Sequence, residues 1–145
     1  MYHYKESGLR NIWLVNGFEI MQDPDYGECV SIADTAGLHR AIGMDLIHHR
    51  PSLTGAEFRF LRKEMDLSQN ALAELFGNNE QAVARWEKTG RVPKWADRLM
   101  RVLVKDFYGD SIGVRALIEQ VRTLDHKEQE RRLFEDAASG WKLAA

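Results

Sequence analysis

Cysteine is nearly absent from this sequence. Cys29 is the only one in 145 residues, which excludes an internal disulfide and a cysteine-rich zinc site. Long apolar runs are missing too, and none approaches the ~18 residues that a bilayer-spanning helix needs. The opening MYHYKESGLR has no apolar stretch after its charges, so no secretory signal is expected. No nucleophile–base pair, phosphate-binding glycine loop or metal-ligand cluster is visible, so neither an enzyme nor a bound cofactor or metal is expected. Repeats and low-complexity segments are also lacking. What remains is a chain 44% hydrophobic and 29% charged, the profile of a soluble globular protein of the reducing cytoplasm. A chain of this length can bury ~70% of its unfolded surface.

Charge of one sign is in short supply: 20 Lys and Arg face 22 Asp and Glu, for a net of −2. The balance is uneven along the chain. Residues 1–52 hold 4 basic and 7 acidic groups (−3), residues 53–108 hold 10 and 8 (+2), and residues 109–145 hold 6 and 7 (−1). Any attraction for phosphate must therefore come from a local patch within 53–108 and not from the field of the whole chain.

The pattern predicts an α+β protein. Residues 9–32 read as a three-stranded antiparallel meander: LRNIWLV, an Asn16-Gly17 hairpin signal, FEIMQ, the turn DPDYG, then ECVSI. Alternation puts Ile12 and Leu14 on one face and Trp13 and Val15 on the other. From Asp34 the period becomes helical, with Leu38, Ala41, Ile42 and Leu46 as the stripe, and Arg50-Pro51 closes that helix. The β-meander and helix make a small module over residues 1–50, and RPSLTG marks its boundary. A five-helix unit follows. Its first four helices occupy 53–108, and a helical extension, beginning with the fifth, covers 109–145. Thr54 and Glu57 form a capping box, and Phe58, Leu61 and Met65 form the first stripe. Ser68 caps the second helix, Gly77 stops it, and Asn79 caps the third, which Thr89-Gly90 ends. Pro93 opens the fourth, which runs to about Tyr108. Ser111 caps the fifth, striped by Val114, Leu117, Ile118, Val121 and Leu124. The tail to Ala145 reads as a short docked helix or a frayed end.

The stretch LSQNALAELFGNNEQAVARWE carries the chemistry. Two short helices meet at a glycine, and small Ala73 permits close approach. The second buries Val83 and Trp86, leaving Glu80, Gln81, Ala84, Arg85 and Lys88 outward. Gln81 and Arg85 are four apart and share a face. Glutamine can bond adenine N6 and N7, and arginine guanine O6 and N7. Gln69 and Asn70 open the preceding helix, where free N–H groups favour a phosphate. Asn78, Asn79, Lys88, Arg91 and Lys94 are further candidates for DNA-backbone contact, flanked by Arg59 and Lys63. Glu87 either pairs with Arg62 or stands as a free surface charge.

The run SQNALAELFGNNEQAVARWEKTGRVP resembles the phage-repressor-like (XRE) helix-turn-helix family over residues 54–104. The matching residues are Ser68, Gln69, Leu72, Ala73, Gly77, Val83, Arg85, Trp86, Glu87, Gly90 and Pro93; Asn78 departs, standing where the family usually has an apolar residue. The preceding YKESGLRNIWLVNGFEI before LTGAEFRFLRKEMDLSQ resembles the YgiT/MqsA-type antitoxin-like regulators. That resemblance implies a homodimer repressing its own operon at a palindromic site on double-stranded DNA, with Gln81 and Arg85 reading bases. It also implies a toxin partner for residues 1–50. The zinc-binding cysteine pairs of those N-terminal modules are missing here.

Other residues read more plainly. Asp45, His48 and His49 sit at a helix end, a place the dipole favours for histidine, and with no second ligand cluster they predict no metal. His3 and His39 stand isolated. Trp86 reads as core, Trp13 and Tyr26 as sheet core or a partner surface, with core the preferred reading, and Cys29 as a small buried hydrophobe.

Overall fold

The computed structural model describes residues 1–123 and 133–144. Strand β1 (Tyr2–His3) is followed by a 3-10 turn at Lys5–Ser7, then β2 (Trp13–Leu14), β3 (Phe18–Asp23) and β4 (Gly27–Ile32). Six helices come next: α1 (Thr35–His49), α2 (Gly55–Glu64), α3 (Gln69–Leu75), α4 (Glu80–Thr89), α5 (Lys94–Tyr108) and α6 (Ile112–Thr123). Strands β5 (Phe134–Ala137) and β6 (Gly140–Leu143) end the described chain. The protein is thus mixed α/β, with small antiparallel sheets ahead of a helical body. Among the described residues no helix is long and apolar enough to cross a membrane.

The expected three-stranded meander is not formed. β2 pairs with β1 (Tyr2 opposite Leu14, His3 opposite Trp13), and among the described residues β3 pairs only with β4. The turn at Lys5–Ser7 folds the first residues back, and the Tyr4 amide donates to the Ile12 carbonyl (2.9 Å). Gly17 does adopt a left-handed φ of +78°, yet its carbonyl accepts from Ala33 and not from a hairpin partner on β2. The alternation of Ile12 and Leu14 against Trp13 and Val15 holds: Leu14 is buried, while Val15 is exposed. Trp13, expected in the core, is 55% exposed, and its ring stacks on His3 at 4.2 Å. Tyr26 is exposed at the β3–β4 turn, and Cys29 is half-buried. Both rings lie at edges where a two-stranded ladder offers no covering layer.

The helical expectations fare better, because caps and stripes are local. Asp34 caps α1 by accepting from the Gly37 amide. The buried row of α1 is Ile42, Gly43, Leu46 and Ile47, with Ala41 turned outward. Thr54 and Glu57 complete a reciprocal capping box on α2. Phe58, Leu61 and Met65 are fully buried among Leu72, Val83, Met100, Val104 and Ile118. Each such side chain contributes about 1.5–3 kcal/mol by leaving water. On α6, Ile118 and Val121 are buried but Leu117 is exposed, and Leu124 lies outside the described residues. The expected C-terminal helix is corrected over 134–143, where β5 and β6 form a hairpin.

One core spans the boundary expected at residues 50–53. Tyr4, Leu9, Leu14, Ile42, Leu46 and Ile47 are continuous with the core of α2–α6, and α1 packs on both α2 and α5. A polar knot fastens the same place. Asp97 on α5 accepts from the Leu53 amide (2.7 Å) and from Arg101 Nε (2.7 Å), while Arg101 donates to the carbonyls of Ile47 and Arg50. Burial alone would raise the Asp97 carboxyl, but the donors from Arg101, Leu53 and Arg98 outweigh it and hold it below the usual aspartate value.

Candidate nucleic-acid interface

α3 and α4 form a hairpin whose turn is fixed by backbone geometry. Gly77 takes a left-handed φ of +64°. The Asn78 amide then reaches the Ala73 carbonyl (2.9 Å) and the Gly77 amide the Glu74 carbonyl (3.3 Å), the paired bonds of a Schellman stop. Asn78 Oδ1 accepts from the Asn79 amide, and Asn79 Oδ1 accepts from the Ala82 amide to cap α4. Both asparagine oxygens expected at phosphates are thereby engaged in shaping the turn.

Aromatic packing holds α4 down. Trp86 meets Phe58 edge-on (centroids 6.0 Å) and Trp95 (5.6 Å), and Phe76 lies against Trp95 (6.0 Å). Ala82 and Val83 complete the buried side. Gly55, the first residue of α2, lies so close under the end of α4 that a Cβ there would collide with the Glu87 and Trp86 carbonyl oxygens.

Polar groups set the rotation of α4. Arg62 Nε donates to Glu87 Oε2 (2.7 Å) and its terminal nitrogen to Oε1 (2.9 Å), with both side chains nearly buried. Arg62 also donates to the Leu67 carbonyl (2.8 Å), and Gln69 Nε2 to Glu87 Oε1 (3.1 Å). Glu87 is therefore a paired, buried group and not a free surface charge. Gln69, expected at a phosphate, is half-buried with its amide nitrogen bound inside this network.

The opposite side of α4 faces water. Gln81, Arg85 and Lys88 are all exposed along it, as are Asn70, Arg91 and Lys94 nearby. Among the described residues neither Gln81 nor Arg85 has a side-chain hydrogen bond or ion pair within the chain. The spacing of four that put them on one face in the sequence is realised in a helix running from Glu80 to Thr89. Glu80 adds one carboxylate beside them, against cations at Arg85, Lys88, Arg91 and Lys94.

One feature had no signal in the sequence. A groove of about 1070 Å³ separates α4, at Ala84 and Lys88, from the N-terminal turn at Glu6 and Ser7, with Arg59 and Lys63 of α2 on its floor. Charges of both signs line it. His39 and Glu64 also line it, and there Tyr4 bonds His39 (2.7 Å), His39 approaches Glu64 (3.5 Å), and Tyr108 donates to Glu64 (2.8 Å). Burial first, then the bond to Glu64 and its charge, push the Tyr108 hydroxyl far above the ordinary tyrosine value. These partners lie 25 to 44 positions apart, beyond any local pattern. His3, read as isolated, bonds the Arg10 carbonyl (2.7 Å). At the end of α1, His49 pairs with Asp45 (2.8 Å) in the open, and no group of three or more His, Cys, Asp or Glu among the described residues could hold a metal ion.

The site thus belongs to a mixed α/β chain that presents one polar helix face from a rigid helical hairpin. No protein-family model, curated protein or solved structure matches the chain.

Proposed function

We propose that the chain is a sequence-specific DNA-binding regulator of the XRE helix-turn-helix type, acting in the cytoplasm as a homodimeric repressor of its own operon. The observation that carries this reading is the pairing of an anchored back and an open front on α4. Arg62, Glu87 and Trp86 lock the rotation of the helix, while Gln81 and Arg85 stand unbonded and exposed on the other side. A helix so held can enter a major groove without spending energy on breaking internal bonds. Gln81 and Arg85 specify; Asn70, Lys88, Arg91 and Lys94 position the helix on phosphates.

A homodimer places two such helices ~34 Å apart for an inverted repeat. The surface suited to the second copy is on α5. Trp95, Leu99 and Val102 lie at i, i+4 and i+7 and are 47%, 40% and 60% exposed. The reading is tested with duplex DNA from upstream of the gene that contains a pseudo-palindrome. The wild-type chain shifts it, and the Gln81→Ala/Arg85→Ala variant does not; equal binding by both rejects the assignment. Leu99→Glu with Val102→Glu is expected to yield a monomer by sedimentation and to weaken operator binding with it.

A second reading, neutralisation of a toxin through residues 1–50, is favoured by the net charge of −3 over residues 1–52, which suits a basic partner. Co-purification with the product of a small neighbouring gene tests it.

A further inference from the structure

The β3–β4 hairpin is a sheet left unfinished. Its ladder runs six pairs, from Phe18 opposite Ile32 to Asp23 opposite Gly27. Only the base is seated: Phe18 and Ile32 pack against the core, and Phe18 leans on Tyr2 with ring centroids 5.5 Å apart. One step further out on the same face, Ile20 is 51% exposed and its partner Val30 is half-buried, and neither packs on the core as Phe18 and Ile32 do. The other face carries Met21, 53% exposed, opposite Cys29. No third strand joins either edge among the described residues. An isolated two-stranded ribbon is marginal in water, and its open edges are the usual template for an added strand.

Charge selects what can be added. Residues 18–32 contain Glu19, Asp23, Asp25 and Glu28 and no lysine or arginine. None of these carboxylates forms an ion pair among the described residues; Asp23 bonds only the amides of Asp25 and Tyr26. A second copy of the hairpin would bring four more carboxylates against these, and a nucleic acid would bring phosphates. Both are repelled.

We infer that the β3–β4 hairpin is a docking surface for an extended, lysine- or arginine-bearing segment of another protein, which adds as a further strand and covers Ile20 and Val30. Main-chain bonds along the free edge supply the affinity, apolar contacts to Ile20 and Val30 set the register, and the carboxylates select the basic partner. This inference deepens the second reading of residues 1–50 and does not depend on DNA binding.

The experiment uses the full chain, isotopically labelled, with a ten-residue peptide of alternating lysine and valine as the probe and its glutamate–valine counterpart as control. The lysine peptide is expected to shift amide resonances within residues 18–32 and to bind at least tenfold more tightly than the control. Asp25→Lys with Glu28→Lys, both at exposed positions, lowers that affinity about tenfold or more, and Ile20→Ser lowers it independently. Operator binding, measured in parallel, stays at the wild-type level in both variants. Three results overturn the inference: shifts that spare residues 18–32, equal binding of the two peptides, or sedimentation showing a dimer that Ile20→Ser dissolves. Loss of operator binding by Gln81 and Arg85 variants, or its absence in wild type, bears on the regulator reading alone. A toxin that fails to co-purify while the lysine peptide binds rejects the toxin and keeps the surface.

Discussion

Arg62 and Glu87, 25 residues apart, meet in a two-point bridge with both side chains under a tenth exposed. The planar guanidinium matches the carboxylate fork, so the pair fixes an angle as well as a distance. Its value lies in orientation, since desolvation consumes much of the attraction between buried charges.

Breaking one side of the bridge therefore costs more than removing both. Glu87→Gln leaves Arg62 charged and buried and is expected to lose about 3 kcal/mol of stability. Arg62→Met combined with Glu87→Leu is expected to lose less than either single change. Urea unfolding of Glu87→Gln, Arg62→Met, Glu87→Leu and the double variant checks this, and a strictly additive double variant would contradict it.

On the open side of α4, Arg85→Ala is expected to cost about 1–3 kcal/mol of operator affinity and to relax discrimination at one base pair. Lys88→Ala or Arg91→Ala should weaken all sequences alike and lower the salt slope by about 1 each. Binding titrations over a range of salt, on the operator and on single-base variants of it, separate the two behaviours.

The close approach at Gly55 is a steric prediction. A methyl group there meets main-chain oxygens of α4, which cannot rotate aside. Gly55→Ala is expected to destabilise by about 1–3 kcal/mol through overpacking, even though alanine is the better helix former. A rise in thermal midpoint would show that α2 and α4 can separate freely.

Asp97 gives the pH dependence. Its carboxyl is held below the ordinary aspartate value in the folded chain, so the unfolded chain takes up the proton more readily. The stabilisation is in place above about pH 4 and is lost as the pH falls through the folded value. Wild type should lose stability on acidification more steeply than Asp97→Asn, which is weaker at neutral pH. Urea midpoints between about pH 6 and pH 2 read the difference.

Local chemistry made the helices legible. The Thr54–Glu57 box, the Ser68 and Asn79 caps, and Gly77 and Gly90 with left-handed φ all sit where nearby residues decide the conformation. The exposure of Gln81 and Arg85 follows from the same period that buries Val83 and Trp86. Strand pairing was less legible. Gly17 takes the left-handed φ but Asn16-Gly17 only bends the chain, and β2 takes its partner from Tyr2 and His3, a two-residue strand too short to leave a pattern. Gln69 and Asn79 illustrate a second limit: their types suit phosphate, and side-chain bonds to Glu87 and to the Ala82 amide engage them within the chain.

The interior shared across residues 50–53 has a practical corollary for anyone trimming the gene. A fragment starting at Leu53 would forfeit Ile42, Leu46 and Ile47 together, baring the greasy flank of α5 and leaving Arg101 without the two carbonyls it grips. Such a stump should clump or melt early, so the amino-terminal third is built into the helical body and is no detachable appendage.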